Sequence, residues 1–420
     1  MLKVLILTYY WPPAGGSGVQ RWLKFVKYLR DFNIEPVVYT VKDPNYPLLD
    51  FSFQSDIPEG IEVIQHPIWE PNNLLGKKKQ TSAGFLNKNP SFIGKIMQYI
   101  RANYFIPDAR KYWIKPSVKY LSTYLKENSV DVIISTGPPH SMHLIGMQLK
   151  EKLGVKWVSD FRDPWTDIDY FHQLPLTHKS IQKHEKLELK VLENSDAVLV
   201  VGETMKSNYD KFNDNTYVVS NGYDSAEIEG ENKLDKEFSI THIGLMNDDR
   251  NPEILWEVLN ELKTEVNGFS ENLNIKLVGK VSQSCKASIS ANALDENVEF
   301  TPYIPHSEVQ EIQQSSQVLL LAVNKVPSAK GIITGKIFEY LLAKRPILAI
   351  GPINGDLAQI LKKTKAGSIV NFEEKRLLKS SILDLYTAYK SNTLTCNSIG
   401  VEQYHRRNLT QQLSKLLKEL

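Results

Sequence analysis

Short runs of apolar residues alternate along the chain with longer segments in which apolar side chains recur every three or four positions. The short runs predict buried strands, and the longer spacing predicts helices that cover them. Strands that alternate with helices form parallel sheets covered on both faces. In the first half of the chain, strands are predicted at residues 3–10, 35–41, 130–136, 156–161, 197–202 and 216–220.

The alternation is interrupted by a turn at Asn221-Gly222 and by the polar, acidic stretch 224–237, which we interpret as a linker. It then restarts. We therefore expect an α/β protein with two doubly wound, Rossmann-like domains that face each other across a cleft, with ligands at the carboxyl ends of the strands. The second set of strands is predicted at residues 238–244, 274–279, 298–303, 317–323, 346–351 and 367–372.

Composition narrows the classes of function. A chain of 420 residues is too long for one ordinary core, and 42% apolar with 23% charged residues is a globular composition. The net charge of +2 gives no reason to expect a nucleic-acid partner. Cys285 and Cys396 show neither metal-ligand spacing nor a disulfide framework, and the apolar runs are too short for a signal peptide or a bilayer span. We therefore expect a cytoplasmic protein.

The segment 75–113 lacks clear strands and contains the basic run Lys77-Lys78-Lys79. A helix is predicted within it, and Lys95 and Arg101 lie on its polar face. Such a helix either covers its own domain, which is the simpler interpretation, or lies on an anionic membrane surface, here the inner face of the cell membrane. Its apolar face consists of Phe92, Ile93, Ile96, Met97, Ile100 and Tyr104.

The stretch 328–351 carries the most specific chemical signal. After a small-residue loop, a helix begins near Thr334, Gly335 and Lys336. Free backbone N–H groups and the lysine charge make such a place suited to a phosphate. Glu339 lies on the same helix face, and a carboxylate there suits a ribose diol. An ordinary surface pair of Lys336 and Glu339 is the alternative that the spacing leaves open.

A glycine-rich loop follows the first strand and contains Gly15, Gly16 and Ser17. It matches part of a dinucleotide fingerprint, but Arg21 occupies the position of the third glycine. The loop suits either close approach of the backbone to a phosphate or a simple turn with positive φ. In the dinucleotide interpretation, Asp43 would bind a ribose.

Two later loops of the first half carry polar residues at the ends of strands. His140 either contacts a substrate or caps the following helix. The next strand ends in Asp160, Arg162, Asp163 and Trp165, where charged groups suit sugar hydroxyls or a base and the indole suits a sugar face. An ion pair between Arg162 and Asp163 that only stabilises the loop is the alternative.

Arg250 stands in the loop after the first strand of the second half, where its guanidinium suits a diphosphate. A solvated arginine at a helix start is the alternative. The sequence contains no zinc pattern, nucleophile elbow, Walker loop or Ser/His/Asp signature.

Four motifs stand in an order that resembles a known family. Residues 219–224 read Val-Ser-Asn-Gly-Tyr-Asp, and residues 298–305 read Val-Glu-Phe-Thr-Pro-Tyr-Ile-Pro. Residues 338–348 read Phe-Glu-Tyr-Leu-Leu-Ala-Lys-Arg-Pro-Ile-Leu, and residues 404–407 read Tyr-His-Arg-Arg. Together these motifs resemble glycosyltransferase family 4, whose members have the two-domain GT-B fold. The resemblance covers nearly the whole chain and is strong over its second half.

The resemblance implies that the final helix returns to the first domain. The domains would then comprise residues 1–221 with 403–420 on the acceptor side, and residues 222–402 on the donor side. It also implies a retaining enzyme that needs no metal and no cofactor besides its nucleoside diphosphate sugar. The acceptor would be a hydroxyl group, as in lipid-linked or surface-polysaccharide precursors.

The resemblance implies that Gly15, Gly16 and Ser17 contact the donor diphosphate, that Arg250 and Lys336 hold its charge and that Glu339 binds the ribose diol. The loop chemistry described above adds the other expected roles. Catalytic roles fall to Asp160, Asp163, Arg250 and Lys336. Donor contacts fall to Gly15, Gly16, Ser17, Thr334, Gly335 and Glu339, and acceptor or sugar contacts fall to His140, Arg162 and Trp165.

The chain departs from the family in three places. Gly331 stands where the family usually has a second glutamate, and Leu245 stands at its usual first basic position. No histidine follows the strand that ends at Phe161, so a carboxylate would make that sugar contact. A sugar-nucleotide epimerase of the same fold is the main alternative function, and a nicotinamide-dependent oxidoreductase is a weaker one.

Overall fold

The computed structural model describes residues 1–46, 48–69, 91–224, 233–302, 304 and 306–420. The chain forms two compact units. The N-terminal unit comprises Met1–Asp224 and Tyr404–Leu420, and the C-terminal unit comprises Ser225–Gln403.

The N-terminal unit contains a parallel sheet of seven described strands in the order β3-β2-β1-β4-β5-β6-β7. Its central strands are buried along most of their length because both faces of the sheet are covered. The strands are β1 (Leu2–Leu7), β2 (Ile34–Lys42), β3 (Glu62–Pro67), β4 (Val132–Gly137), β5 (Lys156–Phe161), β6 (Ala197–Val200) and β7 (Thr216–Val218). The helices are α1 (Ser17–Leu29), α2 (Phe92–Tyr104), α3 (Ile114–Glu127), α4 (Ser141–Leu153), α5 (His178–Asn194) and α6 (Glu203–Tyr209).

The C-terminal unit contains a second parallel sheet, of six described strands in the order β10-β9-β8-β11-β12-β13. The strands are β8 (Phe238–Ile243), β9 (Leu273–Val278), β10 (Val298–Thr301), β11 (Val318–Ala322), β12 (Ile347–Ile350) and β13 (Gly367–Val370). The helices are α7 (Glu253–Glu265), α8 (Phe269–Asn272), α9 (Gln283–Ala291), α10 (His306–Ser315), α11 (Lys336–Leu342), α12 (Asp356–Thr364) and α13 (Lys375–Lys390). The prediction of two doubly wound α/β units is therefore confirmed.

The strand order of each sheet reverses at one place. In the N-terminal unit the reversal lies between β1 and β4, and in the C-terminal unit it lies between β8 and β11. Ligands of open α/β sheets bind beyond the carboxyl ends of the strands at such a reversal, where the flanking loops diverge. The loops that follow these four strands are therefore the places to examine for a site.

The last helix, α14 (Arg406–Glu419), packs on α1 of the N-terminal unit, as the resemblance implied. Leu409, Leu413 and Leu417 join the buried cluster that contains Trp22 and Phe25. Burial of these leucines holds the end of the chain on the unit where the chain begins.

The chain leaves and re-enters the N-terminal unit at adjacent points. The Tyr223 N–H donates to the Tyr404 carbonyl at 3.1 Å, and the Arg406 N–H donates to the Tyr223 carbonyl at 2.8 Å. Gly222 permits this contact because a Cβ there would lie 2.0 Å from the Tyr404 carbonyl oxygen.

Strand β3 was not predicted from the sequence. It is an edge strand that pairs only with β2 among the described residues, and its polar residues Glu62 and Gln65 are exposed. An edge strand with polar positions lacks the continuous apolar run that marked the other strands.

We expect Gly222→Ala to destabilise the N-terminal unit by about 1–3 kcal/mol, because its Cβ would overlap a backbone atom that cannot move freely. Gly335→Ala is the control, since a Cβ there meets no atom within 4 Å. Urea unfolding followed by circular dichroism would compare the two variants. Equal urea midpoints for both variants and the wild type would contradict the close contact between Gly222 and the Tyr404 carbonyl.

Candidate functional site

Lys336 begins α11 in the C-terminal unit, and its side chain passes directly over Gly244, the residue after β8. A Cβ at Gly244 would lie 2.7 Å from the Lys336 Cε, and Gly244 has a φ of +107°, which favours glycine. The Lys336 Nζ lies 3.3 Å from the Nε2 of His242, a buried residue of β8. Backbone and imidazole thus fix the ammonium at the carboxyl end of β8.

Arg250 lies beside this lysine and is fixed by two hydrogen bonds. Its Nε donates to the Asn324 Oδ1 at 2.9 Å, and its Nη1 donates to the Leu245 carbonyl at 2.8 Å. Asn324 follows β11, so the arginine spans the two strands at which the sheet order reverses. The reversal point therefore carries two cationic side chains held in defined positions.

The electrostatics of Lys336 indicate an anion site. Desolvation and the charge of Arg250 lower the pKa of Lys336 to about 7, and Glu339 opposes them in part. The described residues give Lys336 no ion pair within 4.0 Å. A partly buried cation that lacks a carboxylate partner and lies beside a second cation is stabilised when an anion binds.

Two buried oxygen atoms near this loop system have no hydrogen-bond partner among the described residues. They are the Thr334 Oγ1 and the Asn247 Oδ1. Buried polar atoms are nearly always hydrogen-bonded, so each of these is available to a ligand or to water. Glu339, by contrast, accepts a hydrogen bond at 3.3 Å from the amide of Gln313.

Gly335 precedes α11 and is exposed, with a φ of −57° that any residue adopts. In the N-terminal unit, Gly16 precedes α1 with a φ of +88°, and open space surrounds the position of a Cβ there. Gly15 instead packs against Leu48, whose side chain would lie 2.7 Å from an added Cβ. The side chain of Ser17 lies outside the described residues, so its predicted contact stays a prediction.

Asp160 is completely buried and serves the fold of the N-terminal unit. Its carboxylate accepts hydrogen bonds from the Arg21 Nη2 at 2.8 Å, the Trp22 Nε1 at 2.7 Å and the Thr136 hydroxyl at 2.7 Å. Arg21 also donates to the Ser220 carbonyl at 3.0 Å. This network joins α1, β4 and β5 to the chain segment before the crossing.

Burial alone raises the pKa of Asp160, but the charge of Arg21 and the three hydrogen-bond donors lower it below its usual value. The carboxylate is therefore ionised, and its contribution to stability is complete above an unfolded-state pKa of about 3.9. That contribution is lost as the pH falls further. A catalytic role, predicted from the sequence, has no geometric support, because the group is sealed from solvent.

Arg162 holds its own loop to the start of α1 and to the end of β4. Its Nη1 donates to the Gly18 carbonyl, its Nη2 donates to the Pro138 carbonyl, and its Nε donates to the Gly137 carbonyl at 3.3 Å. Every guanidinium nitrogen is thus occupied by backbone, so the structure gives no support to the predicted sugar contact.

Trp165 and His140 form a buried stack, with ring centroids 4.5 Å apart and an angle of 6° between the rings. The Trp165 Nε1 donates to the Nδ1 of His184 at 3.0 Å. The indole is 2% exposed, so it presents no face to a sugar. His140 makes no side-chain cap to α4, so the structure does not support the helix-cap alternative. Its predicted substrate contact stays a prediction.

Asp163 differs from its neighbours in the same loop. It is exposed and makes no hydrogen bond among the described residues. Desolvation raises the pKa of its carboxyl, and Arg162 opposes that rise. Its predicted role stays a prediction.

The structure thus brings together Lys336, Arg250 and Glu339 of the predicted residues in one unit. Sequence reasoning missed His242, because it stands inside a predicted buried strand and not in a loop after one. It also missed Asn324, although both residues hold the cations in place. Among the described residues, no group of three or more His, Cys, Asp or Glu side chains is placed to hold a metal ion.

Helix α2 was predicted correctly, and its apolar side is exposed. Phe92 is 79% exposed, Ile93 is 73% exposed, and Ile96 and Met97 are 44% exposed. The predicted basic run Lys77-Lys78-Lys79 lies outside the described residues. Within the described part of the chain, no helix is both long and apolar enough to span a bilayer.

The chain matches solved structures over its whole length. Sucrose-phosphate synthase from Thermosynechococcus elongatus matches with a TM-score of 0.65 at 14% identity, over 100% of this chain and 99% of that one. A structure from E. coli, trehalose-6-phosphate bound with UDP-2-fluoro glucose, gives 0.62 at 10% identity over 100% and 99% of the two chains. A putative UDP-N-acetylglucosamine 2-epimerase from Listeria monocytogenes gives 0.55 at 10% identity over 100% and 96%.

These matches assign the GT-B fold. Glycosyltransferases and epimerases both occur among the matched proteins, and identities of 10–14% show the fold alone. No protein-family model matches this sequence, and a search of curated protein sequences returns no match.

We expect Asp160→Asn to lower the free energy of unfolding by about 3–5 kcal/mol, because Arg21 would remain buried beside a neutral amide. Asp163→Asn, at an exposed position of the same loop, should change it by less than about 0.5 kcal/mol. Denaturant unfolding of both variants measures the difference. A stable Asp160→Asn protein with selectively lost activity would restore the catalytic assignment.

Proposed function

We propose that this protein is a glycosyltransferase that moves a sugar from a nucleoside diphosphate sugar to a hydroxyl acceptor. The observation that carries the proposal is the pair of fixed cations, Lys336 and Arg250, at the strand-order reversal of the C-terminal unit. A diphosphate supplies an anionic partner to Lys336, for which the described residues show no ion pair within 4.0 Å. The GT-B fold supports the same conclusion.

Each residue of the cluster has a role in this proposal. Lys336 and Arg250 neutralise the diphosphate as the bond between its oxygen and the anomeric carbon breaks. Glu339 binds the ribose diol of the nucleotide. The hydroxyl of Thr334 donates to a phosphate oxygen, which gives its buried oxygen a partner.

The acceptor oxygen forms a bond to the anomeric carbon, and its proton passes to the departing diphosphate oxygen. Retention of the anomeric configuration, and independence of metals and further cofactors, follow the family that the sequence resembles. Lys336 and Arg250 would then supply the positive charge that stabilises the leaving group. Gly15, Gly16, Ser17 and Asp163 stay predicted contacts in this scheme.

Replacement of Lys336 by alanine is expected to weaken binding of a nucleoside diphosphate by about tenfold to a hundredfold, because a hydrogen bond to a charged group is lost. Transfer should slow at least as much. Lys330→Ala is the matched control, since Lys330 is exposed six positions earlier in the same connection. Calorimetry with UDP, ADP and GDP and a transfer assay provide the measurements. Unchanged affinity and rate for Lys336→Ala would refute the assignment.

A sugar-nucleotide epimerase is the second candidate, because a putative epimerase matches over the full chain. The two functions separate in one experiment. The protein is incubated with UDP-N-acetylglucosamine without an acceptor, and the product is examined for a C2 epimer. An epimer formed without acceptor supports the epimerase, whereas turnover only in the presence of an acceptor supports the transferase.

The acceptor proposed here is lipid-linked or a surface-polysaccharide precursor. Helix α2 supports this choice because its large apolar side chains are exposed and none of its residues within Phe92–Tyr104 is acidic. Lys95 and Arg101 on this helix add positive charge, and such a helix binds the surface of an anionic bilayer. The protein would thereby reach an acceptor held in the inner face of the membrane.

Ile93→Asp combined with Ile96→Asp should weaken binding to phosphatidylserine vesicles by about tenfold or more, through loss of apolar burial and added repulsion. The control is Ile353→Asp combined with Ile399→Asp, because both of these isoleucines are exposed in the C-terminal unit. Vesicle sedimentation measures the bound fraction. Equal binding by both double variants would exclude α2 as the membrane contact.

A further inference from the structure

His242 stands out because it is an imidazole buried inside strand β8 of the C-terminal sheet. It is 1% exposed, and its Nδ1 lies 3.2 Å from the Leu320 carbonyl oxygen of the neighbouring strand β11. A carbonyl oxygen only accepts hydrogen bonds, so the Nδ1 carries the proton. The Nε2 of a neutral imidazole is then a lone pair that points along the strand toward its carboxyl end.

That lone pair faces the ammonium of Lys336 at 3.3 Å. An ammonium has three donors and no acceptor, so it donates and His242 accepts. The neutral state of His242 is consistent with its surroundings, because burial and the charges of Lys336 and Arg250 lower its pKa well below the usual value. The Leu320 bond therefore selects the tautomer that can hold Lys336.

We propose that His242 is a positioning residue that holds the Lys336 ammonium through its Nε2 and keeps it in the charged form that binds the donor diphosphate. This inference rests on the proposed function for the identity of the anion. It goes beyond that function because His242, a strand residue that touches no ligand, is assigned control over the charge and the position of the Lys336 ammonium.

The groups around the pair define how its charge responds to pH. Three groups face Lys336: His242 on β8, Arg250 in the loop after β8, and Glu339 on the same helix as Lys336. His242 faces Lys336, Arg250 and the carbonyls of Leu320 and Leu245. Arg250 disfavours the ammonium, whereas Glu339 and the lone pair of His242 favour it. With a pKa of about 7, Lys336 loses its proton as the pH rises through neutrality.

The affinity for the donor should depend on the protonation state of Lys336. UDP-glucose, ADP-glucose and GDP-mannose keep a constant charge between about pH 5.5 and 8.5, so only the protein titrates in this window. Wild-type affinity for the donor that binds is expected to be constant below about pH 7 and to fall by up to about tenfold per pH unit above it. Calorimetry with these three donors provides the pH profile.

Two variants of His242 separate positioning from simple packing. His242→Leu removes the acceptor, so affinity at pH 7 should fall by about tenfold to a hundredfold, and the break in the profile should move to lower pH. His242→Gln places an amide oxygen near the position of the Nε2 and should restore the wild-type break. An unshifted break in the leucine variant, or a glutamine variant no better than leucine, would overturn the proposal.

A second measurement needs no donor. Lys336 in the free protein is acylated with labelled acetic anhydride across the pH range, and the peptide is quantified by mass spectrometry against the other lysine peptides of the same digest. The wild type and His242→Gln should show reaction rising near pH 7, and His242→Leu should react at lower pH. If no donor binds but this shift is found, the proposed function fails and the His242 contact stands. If the donor binds and no shift is found, only the His242 inference fails.

Discussion

A cation that is withdrawn from water without a carboxylate beside it is the constraint on which this account depends. Lys336 is held over Gly244 and against His242, and Arg250 lies close enough to lower its pKa. Like charges in a desolvated place raise the free energy of the folded state unless something compensates them. The chain keeps the arrangement through a glycine with positive φ and hydrogen bonds to His242 and Asn324, and we propose that an anionic ligand supplies the compensation.

The N-terminal unit shows the opposite solution to the same problem. Asp160 and Arg21 are both buried, but each meets the other, and further donors and acceptors complete their hydrogen bonds. The guanidinium of Arg162 similarly donates all its hydrogen bonds to backbone carbonyls. Charged groups whose hydrogen bonds are all made within the fold fix the geometry of the loops. They have no donor or acceptor left for a substrate. The densest polar motif of the sequence, residues 160–165, therefore serves mostly to stabilise the fold.

The fold could be predicted from the sequence because many buried parallel strands appear in it as continuous apolar runs. Strands β11 and β12 are of this kind, whereas β3 is polar and lies at an edge, so the same rule misses it. The final helix needed the family resemblance, because its amphipathic pattern did not indicate which unit it packs on.

The site could be predicted in part. Arg250 could be predicted because it follows a strand, and Lys336 and Glu339 because they lie in the first turn of a helix, which are both local signals. His242 was not predicted, because the role that we propose for it depends on the Leu320 carbonyl of the adjacent strand, which no sequence spacing records. Trp165 and Asp160 were assigned to ligands because motif chemistry does not reveal burial, and partners such as Trp22 and His184 lie far away in the sequence.

The most direct test of the anion site is a crystal structure of the protein with a bound nucleoside diphosphate, chosen from UDP, ADP and GDP by thermal shift. The account predicts diphosphate oxygens within about 3.2 Å of the Lys336 Nζ and the Arg250 guanidinium, with the ribose hydroxyls on the Glu339 carboxylate. A diphosphate bound elsewhere, with neither cation in contact, would contradict it.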